Sequence, residues 1–558
     1  MMTDAPRNPT PIDAIADAWV DTLAEISPTT ATYIGRSEFN DRYGDYSPDG
    51  HAQYIGAVRD TISKLESAQP VDAIDAVTQE DLLRELKLDV ELDDARWHLR
   101  DLNVIASPAQ DIRQVFDLMP TSTVDDWSVV ATRMRALPAA IEGYVETLKE
   151  GIAQGVVPAR RQVVEVATQI ARYTSDTGFF TEFAGDAAPE SGQLPASLAR
   201  ELADSANAAR VAYDALGRFL TGELAPVATE KDAVGREVYP LHSRRFLGAT
   251  IDLDETYEWG VEELARMVAE QEAIANEILP GATVEEAVAF LENDPARKLH
   301  GTEELQQWMQ VTSDRAVAEL GATHFDIPEP IRRLECMIAP TREGGIYYTG
   351  PTDDFSRPGR MWWSVPEGVN DFDTWRELTT VYHEGVPGHH LQIAQAVYNR
   401  AQLNSWRRLL AGTSGHAEGW ALYAERLMEQ LGFLDDPADR LGMLDGQRMR
   451  AARVVLDIGV HLEKPRLSGD GVWDHDYALD FMRRNVNMSD EFVQFEVNRY
   501  LGWPGQAPSY KVGQRIWEQA RDEDRDRRGD AFDIKDFHKR ALDIGGVGLD
   551  TLRSALKS

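Results

Sequence analysis

Ile12-Asp13-Ala14-Ile15-Ala16-Asp17-Ala18-Trp19-Val20-Asp21-Thr22-Leu23 sets the pattern for the chain. Ile12, Ile15, Ala16, Trp19, Val20 and Leu23 recur at three- and four-residue intervals, the spacing of one helix face, and Ser27-Pro28 marks its stop. The same period continues through alanine- and leucine-rich stretches at 52–68, 79–100, 124–152, 159–184 and 194–222. Breaks such as Ala68-Gln69-Pro70 and Gly185-Asp186-Ala187-Ala188-Pro189 separate them. Strand-like alternation is scarce in this half, which therefore reads as antiparallel helices.

Working outward, helical spacing resumes through Gly260, Leu264 and Met267 and again at 284–292. Three short β-branched and aromatic runs follow: Cys336-Met337-Ile338-Ala339-Pro340, Gly345-Ile346-Tyr347-Tyr348-Thr349-Gly350 and Arg360-Met361-Trp362-Trp363-Ser364-Val365. They predict a small antiparallel sheet, with the Trp362-Trp363 strand a candidate edge for an extended peptide. Helices are predicted beyond it at 371–402, 413–432, 438–463, 473–485, 488–501 and 509–522, and the mixed-sign run Arg521–Arg528 reads as a solvated helix end. The fold class is mainly α. No repeat or biased linker forces a boundary, so residues 1–558 are expected to form one large domain. Residues 1–250 make its N-terminal helical half, and residues 251–558 carry the chemistry.

Composition narrows the function. The chain has 57 Lys and Arg against 94 Asp and Glu, a net charge of −37. Such a surface repels phosphate backbones and argues against nucleic-acid and anionic-membrane partners. The hydrophobic fraction of 43% is that of a packed protein and too high for a disordered one. Cys336 stands alone, which excludes an internal disulfide or a cysteine-rich metal site, fits a reducing compartment and marks an inert thiol. Met1-Met2-Thr3-Asp4-Ala5-Pro6-Arg7-Asn8-Pro9 lacks the apolar run of a signal peptide, and no stretch of about 20 apolar residues is present. The expected location is cytoplasmic. A Gly-x-Ser-x-Gly elbow is also absent, so a serine hydrolase has little support.

Histidine supplies the chemistry. Of 12 in 558 residues, four (His383, His389, His390 and His416) fall within 383–416, where an even spread would put fewer than one. Three lie in Tyr382-His383-Glu384-Gly385-Val386-Pro387-Gly388-His389-His390-Leu391-Gln392. Neutral imidazoles suit zinc, and a glutamate beside the first ligand is placed to take a proton from water. The usual His-Glu-x-x-His spacing is absent, because Pro387 occupies the fourth position. In an unbroken helix His389 would point about 120° away from His383, and His390 would lie about 10.5 Å along the axis. Pro387 deletes a helix donor and clashes with the carbonyl of His383, while Gly388 relaxes the chain, so a kink is expected to swing His389 back. His390 stays open as the alternative. A third ligand is expected from Gly415-His416-Ala417-Glu418-Gly419-Trp420-Ala421-Leu422-Tyr423-Ala424-Glu425, where Glu418 and Glu425 share a helix face; Glu418 is the better placed and Glu425 the alternative.

These motifs, with Arg499-Tyr500-Leu501-Gly502-Trp503-Pro504-Gly505-Gln506-Ala507-Pro508-Ser509-Tyr510-Lys511, resemble the bacterial family known as domain of unknown function 885. The likeness runs from Pro28-Thr29-Thr30-Ala31-Thr32-Tyr33-Ile34-Gly35 to about residue 522. That family in turn is similar to helical zinc peptidases of the angiotensin-converting-enzyme and thimet-oligopeptidase type. The resemblance implies an elongated helical body, a deep central channel and a small sheet beside the metal-binding helix. It implies one Zn2+ held by His383, His389 and Glu418, with Glu384 as general base and Tyr500 as oxyanion donor. The adjacent Tyr510 and Lys511, together with Arg499 and His461, are candidates for substrate binding; Lys511 could capture a peptide's terminal carboxylate, and His461 could instead be a buried structural histidine. The expected activity is hydrolysis of short peptides, as a carboxypeptidase or oligopeptidase. A zinc hydrolase of a non-peptide amide or ester and a metal-free helical binding protein are the alternatives.

Overall fold

The computed structural model describes residues 7–339 and 345–557; Met1–Pro6 of the N-terminal reading and Pro340 of the first strand run lie outside them. Helix accounts for 68% of the chain and strand for 4%, which settles the mainly α class. The opening helix is Pro11–Ile26, closed at its start by a box in which Thr10 and Asp13 each accept the other's backbone N–H. Ile12, Ala16, Trp19 and Val20 are buried as the period requires, with Ala16, Trp19 and Val20 packing against Val58 and Leu65 of Pro48–Ser67 and Leu82 and Leu86 of Ala73–Asp94. Trp406, from the other half of the chain, completes this small core.

Val124–Gln154, Arg160–Tyr173 and Ala196–Phe219 enclose a second core around Trp127, Tyr144 and Tyr213. The stretch expected as one helix at 159–184 divides, and Phe179–Gly185 follows as a separate short helix. The largest core takes its side chains from Tyr239 to Leu556 and is crossed by the long helices Leu253–Ile278 and Pro437–His461. Hydrogen bonds tie the halves: Asn404 donates to Asp13 at 3.0 Å, and the Gly548 N–H donates to Asp81 at 2.9 Å.

Five strands are present among the described residues. β1 (Lys298–His300) pairs antiparallel with β5 (Asp371–Asp373). β2 (Leu334–Ile338), β3 (Ile346–Thr349) and β4 (Gly359–Trp363) form a second sheet in the order β2-β4-β3. Its β3–β4 pair is antiparallel as expected, but β2–β4 is parallel. The Trp362-Trp363 strand is therefore the central one, with both edges used, and cannot lend an edge to a peptide. The outer edge of β2 is satisfied by glutamines of the helix Gly301–Thr323: Gln310 donates to the Leu334 carbonyl and accepts from the Cys336 N–H, and Gln306 donates to the Cys336 carbonyl. That helix is not announced by the sequence pattern, because its buried face mixes Thr312 and Ser313 with Leu305, Met309 and Ala316. Cys336 is buried beside Ser313, and burial pushes its thiol up to about 11, so it stays protonated and inert. No described helix is long and apolar enough to cross a membrane.

Candidate metal centre

The segment predicted as one kinked helix at 371–402 is two helices. The first, Thr374–Glu384, ends on the first histidine motif, and the second, His389–Tyr398, begins on the second. Between them Gly385–Gly388 makes a tight link in which the Gly388 N–H donates to the Tyr382 carbonyl at 3.1 Å. Only glycine fits at 388, since a Cβ there would lie 1.9 Å from the carbonyl oxygen of His383. Trp420 of the helix Ser414–Gln430 donates its indole N–H to the Pro387 carbonyl at 2.8 Å, fastening the link to the helix that carries Glu418.

This break brings His389 back to His383. The two rings meet edge to face at a centroid distance of 4.8 Å. Glu418 Oε2 lies 3.3 Å from His383 Nε2 and 3.7 Å from His389 Nε2. Donors held about 2.0–2.2 Å from a tetrahedral zinc are themselves about 3.3–3.5 Å apart, so the His383–Glu418 separation matches that spacing and the His389–Glu418 separation is slightly longer. Glu418 Oε2 is buried and has no hydrogen-bond partner among the described residues, nor does Glu384 Oε2. Nitrogens of His383 and His389 and a carboxylate oxygen of Glu384 all fall within 4.8 Å of one another. Two orphaned carboxylate oxygens against two imidazoles are what a divalent cation would satisfy.

The electrostatics favour positive charge here. Burial opposes a protonated His383, yet Glu418 and Glu425 on its two nitrogens hold its pKa up at about 10. Burial also opposes ionisation of Glu418, but the two histidines keep its carboxyl well below the usual range. Glu384 differs: burial dominates and raises its pKa, a direction suited to a carboxylate that must accept a proton.

Glu425, the alternative ligand, sits on the far side of His383, where its Oε1 accepts from Nδ1 at 2.7 Å. Its other oxygen accepts from Gln447 at 2.9 Å; Gln447 in turn accepts from Lys511, and Lys511 pairs with Glu263 at 3.0 Å. His390, the alternative second histidine, has both nitrogens engaged, with the Tyr348 hydroxyl at 2.9 Å and the Ile331 carbonyl at 2.7 Å, and burial lowers its pKa to about 4. It joins the second histidine helix to the sheet and has no lone pair left for a metal. His416 packs against Trp517 and Gln392, outside the cluster.

Four expected substrate or catalytic residues occupy other roles. The Tyr500 hydroxyl accepts from Arg453 Nε at 2.7 Å and donates to Glu496, so it is spent in a buried ion-pair network. Arg499 belongs to the same network through Glu496 and Gln506. Lys511 is 1% exposed and consumed by Glu263, Gln447 and Gln514, which leaves no donor for a peptide carboxylate. His461 is fully buried, with Nε2 on the Tyr500 carbonyl, and is the structural histidine of the two readings.

Tyr510 is the exception. Its phenol is pushed up to about 12, first by the charge of Glu418 and then by burial, which puts the ring beside the cluster. The helix Ser509–Arg528 reaches this position because Gly419 and Gly513 let two backbones touch: a Cβ on Gly419 would lie 2.4 Å from the Gly513 carbonyl carbon. The guanidinium of Arg453 lies 5.1 Å from the Tyr510 ring centre. Gln447, Arg450 and Arg453 recur at every third position of the Pro437–His461 helix and form a polar stripe along it. That stripe was the available sequence signal for residues the motif reading missed.

A cavity of about 330 Å3 opens beside the cluster, lined among others by His383, Glu384, Glu377, Ile346 and Arg450. A larger cavity, of about 710 Å3, lies elsewhere and is lined by none of the expected site residues. Chemistry, and not volume, therefore marks the site.

A mainly helical protein with two histidines and a glutamate converging at a helix break is the class that fold and site define. The chain belongs to the family described as bacterial protein of unknown function (DUF885), whose sequence profile matches residues 28–556. Its fold is that of a presumed lipoprotein from Colwellia psychrerythraea, 22% identical with a TM-score of 0.83, over 98% of each chain. A presumed lipoprotein of unknown function from Shewanella oneidensis is also similar, at 17% identity and a TM-score of 0.76, over 98% of this chain and 100% of that one. No curated protein matches the sequence.

Proposed function

We propose that the chain is a zinc-dependent peptidase acting on short peptides. The observation that carries this reading is the spacing of His383 Nε2, His389 Nε2 and Glu418 Oε2 around an unpartnered carboxylate oxygen, with Glu384 alongside. Zinc, when bound, supplies a Lewis acid that polarises a carbonyl and makes water acidic enough to attack near neutral pH. Glu384 takes a proton from the attacking water and returns it to the leaving amine, as its raised pKa favours. Glu425 fixes the Nδ1–H tautomer of His383, so that Nε2 presents its lone pair. Tyr510, and not Tyr500, donates to the oxyanion, because the charge of Glu418 acts on its phenol while the Tyr500 hydroxyl is taken by Arg453 and Glu496. The likeness to angiotensin-converting-enzyme and thimet-oligopeptidase peptidases, including their deep channel, rests on the motif residues and forms part of this proposal.

Glu384→Gln separates this enzyme from a metal-free binding protein. The variant is expected to keep one zinc per chain by elemental analysis and to lose peptide hydrolysis by at least 100-fold. Absence of zinc from the wild-type protein, or full activity in the variant, overturns the reading. A cytoplasmic location remains the expectation from composition, and a lipid-anchored one is the alternative that the lipoprotein relatives support; cell fractionation separates the two.

A further inference from the structure

We propose that Arg450 anchors a substrate carboxylate, and that this is the free C-terminal carboxylate of the peptide, so that the chain trims peptides from their C-terminus. The inference rests on the peptidase reading and names its substrate class.

The argument begins with charge balance. The chain holds 94 acidic residues against 57 basic ones. Three arginines near the site pair with carboxylates, Arg453 with Glu496 at 2.9 Å, Arg426 with Glu270 at 2.9 Å and Arg376 with Glu292 at 2.8 Å, and Arg448 on the same helix is held by Gln271 and Asn485. Arg450 has no ion pair and no hydrogen-bond partner among the described residues, and its Nε is buried. Its charge acts on Glu384, Glu425 and Asp445 without a direct hydrogen bond to any of them, so the half-buried guanidinium keeps its hydrogen-bonding edge free for a ligand.

Its position says which ligand. Arg450 lines the same cavity as His383 and Glu384, and its guanidinium lies 5.9 Å from the ring centre of Tyr510. The cation thus stands between the cavity and the tyrosine assigned to the oxyanion. Space for it is made by Gly446, one turn earlier, where a Cβ would lie 2.6 Å from Nη1. Asp445, Glu377 and Glu425 share the cavity, and none is hydrogen-bonded to Arg450; burial raises the Asp445 and Glu377 carboxyl pKa values, Glu377 to about 7, while the charge of Arg450 opposes the rise at Asp445. The planar fork of a guanidinium matches a carboxylate in two parallel hydrogen bonds. Every linear peptide carries one such group at its end, and the cavity of about 330 Å3 that Arg450 shares with His383 and Glu384 offers room for the residues next to it. An acidic side chain offers the same chemistry, so the test separates the two sources.

The test uses the full-length zinc-loaded protein and a mixture of N-acetylated pentapeptides, each supplied as free acid and as C-terminal amide, with cleavage rates read by mass spectrometry. Free acids are expected to be cut at least 100-fold faster than amides. Arg450→Gln, with unchanged zinc content and melting temperature, should shrink that preference to within about threefold, and Arg450→Lys should restore part of it. Equal cleavage of acids and amides overturns the anchor and leaves the peptidase reading standing. A preference confined to amides bearing Asp or Glu side chains overturns the terminal assignment. If neither form is cut, the peptidase reading fails, and calorimetry of the same peptide pairs decides on Arg450: tighter binding of acids, lost in Arg450→Gln, keeps the carboxylate site, and equal binding removes it.

Discussion

Glu425 and Glu418 hold opposite nitrogens of His383, Glu425 at 2.7 Å from Nδ1 and Glu418 at 3.3 Å from Nε2. One carboxylate fixes the proton, and the other shares the face where a cation would sit. Both come from one helix, seven residues apart, so a single element sets the tautomer and completes the donor set. The order of the two glutamates along that helix decides which one faces both histidines and which one backs His383.

His389 and His390 are adjacent, yet their substitutions should differ in kind. His389→Ala is expected to abolish stoichiometric zinc in elemental analysis, with the fold intact by circular dichroism. His390→Ala should retain zinc and lose about 1–3 kcal/mol of stability in urea, from the stranded Tyr348 hydroxyl and Ile331 carbonyl. Zinc loss in the second variant alone would reverse the assignment.

Glu425→Gln leaves the donors in place and removes the charge behind His383. Zinc affinity, measured by competition with a chromophoric chelator, should fall roughly 10- to 100-fold. An unchanged affinity would mean that the Glu425–Gln447–Lys511–Glu263 chain serves packing alone.

Tyr510→Phe should lower kcat by about 100- to 1,000-fold with little change in KM, the scale of a lost oxyanion donor. Tyr500→Phe should instead cost about 1–3 kcal/mol of stability, because Arg453 and Glu496 lose a buried partner, with kcat within about threefold. Kinetics and denaturation on both variants distinguish them; the opposite split restores the role to Tyr500.

Asp457 gives a pH signature away from the cluster. It is fully buried, accepts from the Tyr239 hydroxyl at 2.6 Å and the Gly505 N–H at 2.9 Å, and is pushed up by burial to about 7. A carboxyl whose folded pKa exceeds its unfolded value of about 3.9 binds more protons when folded. Its stabilising contribution is complete below about pH 4 and declines as pH rises to about 7, by roughly 1.4 kcal/mol per unit. Asp457→Asn removes that decline, so its stability relative to wild type, from urea titrations at pH 5 and pH 7.5, should be more favourable at the higher pH. A difference independent of pH would mean that Asp457 is ionised in the fold throughout.

The helical class, most element positions and the stretch holding the cluster are legible in the sequence, because they depend on local matters: the 3.6-residue period, the stopping power of Pro and Gly, and histidine crowding around 383–416. Local pattern could also say that Pro387 and Gly388 must break the helix. It could not say where the chain would go next. The sequence and the resemblance already preferred His389 to His390 and Glu418 to Glu425, but which side chains had partners, Tyr500 among them, could be known only from the packed chain. Those partners come from elements far off in sequence: Ile331 and Tyr348 claim His390, Gln447 claims Glu425, and Arg453 claims Tyr500. The same accounting left Arg450 without one. Residue types and spacing fix what a segment is able to do, whereas the free valences that remain for chemistry are a property of the packed whole.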